Sequence, residues 1–241
     1  MTFVVAMCTV TIVPRTDGFR VACNRDERYS RPTALGPCRY HLGFRTAVFP
    51  TDPQSGGTWI GANDAGLVLT LLNRTDCSPA VPNVKQRLRY SRGLVIPSLL
   101  EFETLQKVLT SMRTLNPGSF APFRLVMVQG REVGDATSDG RAIWADLYRL
   151  TKPMLFTSSS LGDAVVEGPR RRLFNDMVLG NPDTWLQGQH AFHRHYWCDC
   201  SELSVQMKRR EAATVSRSVV DVLADSVDFH YEPLELAAEA A

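Results

Sequence analysis

A chain of 241 residues in which 44% of the side chains are hydrophobic is long enough to bury a sizeable core. The sequence contains no evident linker, and we therefore expect a single domain over residues 1–241. The formal net charge of +2 is too balanced to favour nucleic acid or an anionic membrane surface as a partner. We interpret the basic runs at 170–172 and 208–210 as solvated or ion-paired surface.

The sequence gives no sign of a membrane or secreted protein. No apolar run approaches the roughly 18 residues of a membrane span. Residues 1–6 lack both the basic region and the length of a signal peptide. We therefore expect a cytoplasmic protein without an integral membrane segment. Its six cysteines should be reduced thiols, because disulfide frameworks belong mainly to secreted chains.

The first predicted element is a β-hairpin. Two extended, largely apolar runs at 7–13 and 19–27 flank a turn at 14–18 that is rich in Pro, Asp and Gly. The end of the second strand returns to the start of the first, which places the polar tetrapeptide 24–27 beside Cys8. Neighbouring guanidinium and carboxylate groups can activate a thiol or hold a substrate carbonyl. The hairpin therefore predicts a candidate nucleophile.

Met7 directly precedes Cys8, and an initiator methionine is trimmed when a small residue follows it. If the mature chain began at Cys8, its α-amino group could act as the general base for its own thiol. This interpretation requires that residues 1–6, which precede Met7, be absent from the mature protein. Either the cell does not use that upstream start, or the segment is cleaved, or Cys8 is only a small apolar residue on a buried strand.

A second hairpin follows a segment, from 33 to about 57, that is rich in Pro and Gly and that we predict to be a loop. Residues 56–61 form a short strand, and the apolar strand 67–74 ends at a polar pair that includes Asn73. The paired glycines at 56 and 57 would let a backbone approach closely. A side-chain amide such as Asn73 can donate to a developing oxyanion, although it can also cap the strand end.

The rest of the chain alternates pairs of strands with pairs of helices. Helical spacing is predicted at 94–99, 105–112, 165–179 and within 183–195, and strands at 123–128, 142–147, 154–157, 213–223 and 227–231. This order predicts an α+β fold, a four-layer α-β-β-α sandwich of antiparallel sheets covered by helices. A doubly wound parallel sheet is not expected, because too many strands follow one another without a helix between them.

A cluster of imidazoles and thiols near the last helix invites comparison with a zinc site. It consists of His190, His193, His195, Cys198 and Cys200. Structural zinc sites space paired cysteines by two to four residues, whereas one residue separates these two. We therefore prefer a polar helix end that bears histidines, and we expect neither a metal nor a cofactor.

Several motifs together resemble one known family. They are Met7-Cys8, Asn-Arg-Asp-Glu at 24–27, Tyr-Ser-Arg-Pro at 29–32, Gly-Gly-Thr-Trp-Ile-Gly at 56–61, the strand that ends at Asn73, and later pieces at 158–163, 169–170 and 213–216. In combination they are similar to the NRDE proteins, also called the transport-and-Golgi-organisation family. The likeness extends over nearly the whole chain.

That family is similar in turn to the cysteine N-terminal nucleophile hydrolases, such as the bile salt and penicillin V amidases, whose fold is the α-β-β-α sandwich. The resemblance implies Cys8 as nucleophile, Arg25 and Asp26 as the hairpin pair, and Asn73 as oxyanion donor. The amidases have a further Asn where this chain offers Ser159 or Ser160, and a late Arg where it has Ala213. The substrate-binding residues we expect are Asn24, Glu27, Gly57, Trp59, Ser159 and Ser160.

The resemblance leaves two hypotheses from different classes. The first is a cysteine hydrolase that acts on a C–N amide bond of a small acylated substrate. The alternative is a non-catalytic binding or trafficking protein that holds an apolar ligand, such as acyl-CoA, another lipid or haem, in the same cleft. The chemical state of Cys8 at the N-terminus discriminates between them.

Overall fold

Two antiparallel β-sheets stacked face to face form the centre of this computed structural model, which describes residues 7–74 and 90–235. The strands, in chain order, are β1 (Met7–Arg15), β2 (Gly18–Arg28), β3 (Leu35–Leu42), β4 (Arg45–Thr51), β5 (Ile60–Asn63), β6 (Val68–Asn73), β7 (Phe123–Gln129), β8 (Glu132–Ser138), β9 (Ile143–Arg149), β10 (Met154–Thr157), β11 (Ala212–Leu223) and β12 (Val227–Pro233). The α-helices of the described segments are α1 (Val95–Leu99), α2 (Leu105–Met112), α3 (Asp163–Phe174) and α4 (Trp185–His193).

The first hairpin lies in the middle of its sheet. The order of the first sheet is β10-β1-β2-β11-β12, and that of the second is β3-β4-β5-β6-β7-β8-β9. In the ladder between β1 and β2, Cys8 pairs with Arg25 and Met7 pairs with Asp26. Because side chains alternate along a strand, successive residues of this hairpin point to opposite faces of the sheet.

Three apolar layers hold the two sheets and the helices together. The layer between the sheets includes Val10, Ile12, Val21, Leu72 and Val126. The outer face of the first sheet contacts α3 and α4 through residues that include Val13, Leu155, Phe174, Phe192 and Val205. The outer face of the second sheet contacts α1 and α2 through residues that include Leu69, Val95, Leu99, Leu105 and Val108. The chain is therefore the four-layer α-β-β-α sandwich that the sequence predicted.

Most of the predicted elements are confirmed. The structure contains both hairpins, the strand Met154–Thr157 and all four regions of helical spacing. The predicted helix at 165–179 is an α-helix that continues into a π-helical turn, Asn175–Leu179. No helix in the described ranges is long and apolar enough to cross a bilayer.

The loop predicted from 33 to about 57 is wrong, because β3 and β4 occupy most of it. β3 is an edge strand of the second sheet, and most of its side chains are exposed or half-buried, so the hydrophobic alternation of a strand is missing. β8 was likewise not predicted. Of its buried residues only Val133 is a large apolar one, and the others are Gly134, Asp135, Ala136 and Ser138.

The basic run at 170–172 is not all surface, because Arg170 is completely buried. Its guanidinium donates to the hydroxyls of Thr9 (2.7 Å) and Thr157 (2.9 Å) and to the carbonyls of Leu203 (3.0 Å) and Ser204 (2.7 Å). These bonds join α3 to strands β1 and β10 and to the segment that precedes β11. A guanidinium suits this position because it presents several donors in a fixed geometry.

We expect the two glycines before β5 to differ sharply in their tolerance of alanine. A Cβ on Gly57 would lie 2.5 to 2.8 Å from backbone atoms of Gly93, so Gly57→Ala should lower the free energy of unfolding by about 2 kcal/mol. Gly56 has a φ of +67° and open space around it, so Gly56→Ala should lower it by only about 1 kcal/mol. Gly36→Ala is the control, because Gly36 has open space without a left-handed φ. Urea unfolding measures all three, and equal stabilities for the Gly57 and Gly36 variants would contradict the close contact.

Candidate active site

Cys8 begins the inward-facing row of β1, between the two sheets. Its side chain is buried, with 5% of the residue exposed, and it belongs to the same core as Trp59. Its backbone amide donates to Ser158 Oγ at 3.3 Å, and the Ser158 amide donates to the Cys8 carbonyl at 3.1 Å. Ser158, the residue that follows β10, therefore bonds to both the amide and the carbonyl of Cys8.

Cys23 shares the inner face of the hairpin with Cys8. It lies on β2, two residues before the residue that pairs with Cys8. A hydrogen bond with Cys8 and complete burial raise the pKa of the Cys23 thiol well above its usual value. Cys23 is therefore a neutral partner for Cys8 at physiological pH.

A cleft of about 310 Å³ opens beside this part of the core. It is lined by Arg25, Glu27, Arg28, Arg31, Asp52, Ser55, Gly57, Thr58, Trp59, Leu71, Asn73, Ser91, Arg92 and Gly93. Cys8 is not one of these lining residues, but its register partner Arg25 is. A cleft of this size fits a small ligand.

A network of ion pairs holds the charged side chains of the cleft in place. Arg25 Nη2 lies 3.2 Å from Glu27 Oε2 and 3.8 Å from Asp52 Oδ2, and its guanidinium stacks 4.3 Å above the Trp59 ring. Arg31 bonds the same Asp52 carboxylate and lies 3.4 Å from Glu27. Burial would raise the pKa of Asp52, but hydrogen bonds from Arg31 and Ser55 outweigh it and hold that pKa below its ordinary value. Asp52 therefore remains ionised, and Asp52 and Glu27 together form ion pairs with Arg25 and Arg31.

Arg92 also lines the cleft, from the short 3-10 turn that precedes α1. Its Nη1 donates to the Pro122 carbonyl at 2.9 Å. Burial lowers the pKa of Arg92 to about 10, and the charges of Cys8 and Glu27 oppose this shift. The guanidinium thus stays charged at neutral pH, and it is close enough to Cys8 to interact with it electrostatically.

Asp26 lies on the other face of the sheet, toward the helices. Its Oδ1 accepts a hydrogen bond from Thr214 Oγ1 at 2.6 Å. Its Oδ2 is buried without a hydrogen-bond partner among the residues that the structure describes. Desolvation raises the pKa of Asp26 to about 6, although the nearby charges of Arg170 and Arg209 and the Thr214 bond oppose the shift. The carboxyl group can therefore change its protonation state near neutral pH.

Asn24 also points to the helix side, where it has a structural role. Its amide nitrogen donates to the carbonyls of His193 and Val205, both at 2.9 Å. Its oxygen contacts His193 Nδ1 at 2.9 Å, and His193 Nε2 lies 2.7 Å from Thr11 Oγ1. Both ring nitrogens of His193 are thus engaged. Burial, followed by the charge of Arg217, lowers the pKa of His193 to about 3, so the ring is neutral.

Ser159 and Ser160 lie beyond the end of β10. Their hydroxyls accept hydrogen bonds from Arg209, at 3.1 and 3.0 Å, and the Ser159 amide donates to Asp163 Oδ1 at 2.7 Å. Arg209 also influences Asp26, so these serines belong to the polar region on the helix side.

The structure thus divides the predicted site residues into two groups. The cleft contains Arg25, Glu27, Gly57, Trp59 and Asn73, with Cys8 next to it. The helix side contains Asn24, Asp26, Ser159 and Ser160. Sequence reasoning gave no role to Asp52, Arg92 or Ser158. Of these three residues, only Ser158 had a recognisable sequence feature, which is its position directly after a predicted strand.

The histidine and cysteine cluster does not converge on one point. His193 is committed to Thr11 and Asn24, and Cys198 is exposed. Within residues 7–74 and 90–235, no group of three or more His, Cys, Asp or Glu side chains is arranged to hold a metal ion.

Comparison with known proteins gives both a family and a fold. Among solved structures, a Caenorhabditis elegans N-acylethanolamine-hydrolyzing acid amidase ortholog superposes with a TM-score of 0.62 at 14% identity, over 88% of this chain and 92% of that one. An Anbu mutant from Hyphomicrobium sp. strain MC1 aligns with a TM-score of 0.38 at 9% identity, over 96% of this chain and 90% of that one. No curated protein sequence matches.

The similarity to the amidase shows that this α-β-β-α sandwich has the architecture of the N-terminal nucleophile hydrolases. The family model for transport and Golgi organisation 2 matches residues 7–163, which is more than half of the chain. The protein therefore belongs to the transport and Golgi organisation 2 family.

Proposed function

We propose that the protein is a cysteine hydrolase that cleaves the C–N amide bond of a small acylated substrate, with Cys8 as the nucleophile. The observation that carries this proposal is the pairing of Cys8 with Arg25 at the start of a central strand, beside a cleft of about 310 Å³. The hydrolase-like fold supports it. A cytoplasmic location is part of the same proposal.

The proposed reaction requires Cys8 to be the first residue. Its α-amine takes the thiol proton, and Sγ attacks the amide carbonyl to form a tetrahedral intermediate. Asn73 and a backbone N–H stabilise the oxyanion. The ammonium returns the proton to the leaving nitrogen, the C–N bond breaks, and an acyl thioester remains on Cys8. Water then attacks the thioester and releases the carboxylic acid and the free thiol.

Arg25 is proposed to orient the thiol and the substrate carbonyl. It suits this task because Glu27, Asp52 and the Trp59 ring hold its guanidinium on three sides. A side chain held in this way loses little conformational entropy when the substrate binds. Glu27, Gly57 and Trp59 are proposed as substrate contacts in the same cleft.

Asp26 is proposed to act on the amine and not on the substrate. Met7 is its register partner, so removal of Met7 would leave the new α-amino group of Cys8 one residue from the Asp26 position. The buried Oδ2 of Asp26 has no donor among the described residues, and an ammonium group would supply one. On the same side, Asn24 positions the helix layer, and Ser159 and Ser160 position Arg209 near Asp26.

We expect activity only when Cys8 is the N-terminal residue. Two forms of the protein decide this point, one translated from Met1 and one from Met7, with the true N-terminus of each established by mass spectrometry. The Met7 form should lose its methionine and hydrolyse N-acyl amino acids and acyl amides, since only a free amine can serve as the base. An unprocessed Met1 form should be inactive.

Cys8→Ser and Cys8→Ala in the Met7 form are the matched variants, with Cys38→Ala, an exposed cysteine on β3, as the control. Both Cys8 variants should abolish turnover, and Cys38→Ala should not. Equal activity from an unprocessed Met1 form would eliminate the α-amine as base. No hydrolysis by any form, together with thermal stabilisation by acyl-CoA or haem, would favour the hypothesis of a non-catalytic binding protein.

We expect Asp26 to make the stability of the Met1 form depend on pH. Its folded pKa of about 6 lies above the ordinary value of about 4, so the folded protein binds the proton more tightly and this stabilising contribution is lost as pH rises from 4 to 6. The free energy of unfolding of Asp26→Asn, relative to the parent, should therefore rise by about 2 kcal/mol between pH 4 and pH 7. Urea unfolding across this range measures the difference.

A form that begins at Cys8 is the control, because its ammonium group would favour the ionised carboxylate and should make the rise smaller. A difference between Asp26→Asn and its parent that stays constant from pH 4 to pH 7 would show that Asp26 titrates normally.

A further inference from the structure

The cleft contains more positive charge than its own acids neutralise. Four arginines and two acidic residues line it. Glu27 and Asp52 both bond to Arg25 and Arg31, which forms a balanced group of two cations and two anions. The remaining arginines, Arg28 and Arg92, form no ion pair with an acid of the described ranges.

Arg92 is partly buried but has no carboxylate partner. Its one hydrogen bond within the described chain is the donation to the Pro122 carbonyl. No ion pair joins it to an acid of residues 7–74 or 90–235. Burial of a cation disfavours its charged form unless an anion compensates, and the lowered pKa of Arg92 reflects this penalty. A compensating anion is therefore the missing component at this wall.

Arg28 has a similar deficit. Its Nε is buried, and the structure gives it no hydrogen-bond partner in the described ranges. The acid beside it, Glu27, accepts from the Arg28 backbone amide at 3.0 Å, and its other oxygen serves Arg25. Arg28 thus lines the cleft and keeps at least one donor, Nε, that no described residue accepts.

From this imbalance we infer that the protein selects acyl amides that carry an anionic oxygen group, a carboxylate or a phosphate, which Arg92 and Arg28 bind. The inference rests on the proposed hydrolase function for the amide bond, but the anion site itself follows from the charges of the cleft. Guanidinium groups match these oxyanions in shape and can donate two parallel hydrogen bonds to them. Leu71 and Trp59, also in the cleft wall, offer apolar surface for the remainder of the ligand.

Arg92 lines the same cleft as Arg25, which is the register partner of Cys8. In a cleft of about 310 Å³, an anionic group bound by Arg92 would belong to a part of the substrate near the scissile amide. The anion therefore belongs to the amine side or to the near part of the acyl side of the substrate. An N-acyl amino acid, with its carboxylate two bonds from the nitrogen, fits this requirement.

The test compares matched ligands that differ in charge. N-Octanoylglycine and N-octanoyl-O-phosphoethanolamine are the anionic probes, and N-octanoylglycinamide and N-octanoylethanolamine are the neutral ones. Their binding to the Cys8→Ala protein is measured by titration calorimetry, which requires no turnover. At least one anionic probe should bind about tenfold or more tightly than its neutral counterpart, and the stronger of the two identifies the oxyanion.

Variants of the two arginines then locate the site. Arg92→Gln and Arg28→Gln should each weaken binding of the anionic probe by about tenfold or more, and that of the neutral probe far less. Arg92→Lys keeps the charge and should retain part of the preference. Arg149→Gln, which changes an exposed arginine on β9, is the control and should have no effect. If Arg92→Gln fails to fold, Arg28→Gln and Arg92→Lys carry the comparison.

The outcomes separate this inference from the hydrolase proposal. Equal binding of charged and neutral probes, binding that neither arginine affects, or no binding of any probe would overturn the anion site. Arginine-dependent preference for an anionic probe supports it. If the preference is present while the form that begins at Cys8 hydrolyses none of the four compounds, the anion site stands and the hydrolase proposal fails.

Discussion

The register between β1 and β2 is the constraint on which the site depends. It pairs Cys8 with Arg25 and leaves Asp26 opposite Met7. Because side chains alternate along a strand, Arg25 and Asp26 must point to opposite faces of the same sheet. A slip of one residue would exchange the two faces and bring Asp26 into the core between the sheets. Arg25 and Asp26, although adjacent in sequence, therefore lie in two separate environments, one on each face of the sheet.

Those two environments differ in which of their buried polar groups lack hydrogen-bond partners. On the helix side, Arg170 and Asn24 bond to backbone carbonyls and hydroxyls and tie the helices to the sheet. Asp26 Oδ2 has no hydrogen-bond partner within the described chain, and the same is true of Gln189 Oε1 and Arg217 Nε. Among the residues that line the cleft, Arg28 Nε and Trp59 Nε1 are buried without a partner in the described ranges. An α-amino group at Cys8, the proposed nucleophile, would supply a donor to Asp26, and an anionic ligand would accept hydrogen bonds from the guanidinium groups of the cleft.

The sequence predicted the layers of the fold and the position of Cys8, because these depend on local patterns. Hydrophobic periodicity marked most of the strands and helices, and the hairpin turn placed 24–27 near Cys8. The sequence did not predict that Arg92 lines the cleft, because its position there depends on contacts between distant segments. It also could not reveal the burial of Arg170, since a run of three arginines looks the same on a surface as in a core. β3 was missed because an exposed edge strand has no apolar alternation.

A contact between two glycines explains how Arg92 reaches the cleft. Gly57 and Gly93 approach so closely that a Cβ on Gly57 would overlap the Gly93 backbone, and the Thr58 amide donates to the Gly93 carbonyl at 3.0 Å. The turn that carries Arg92 is therefore hydrogen-bonded to the segment that precedes β5 and carries Trp59. A Cβ on Gly57 would therefore displace the turn that carries Arg92. Gly57, one of the two adjacent glycines that stood out in the sequence, thus helps to position a charge in the cleft as well as to shape it.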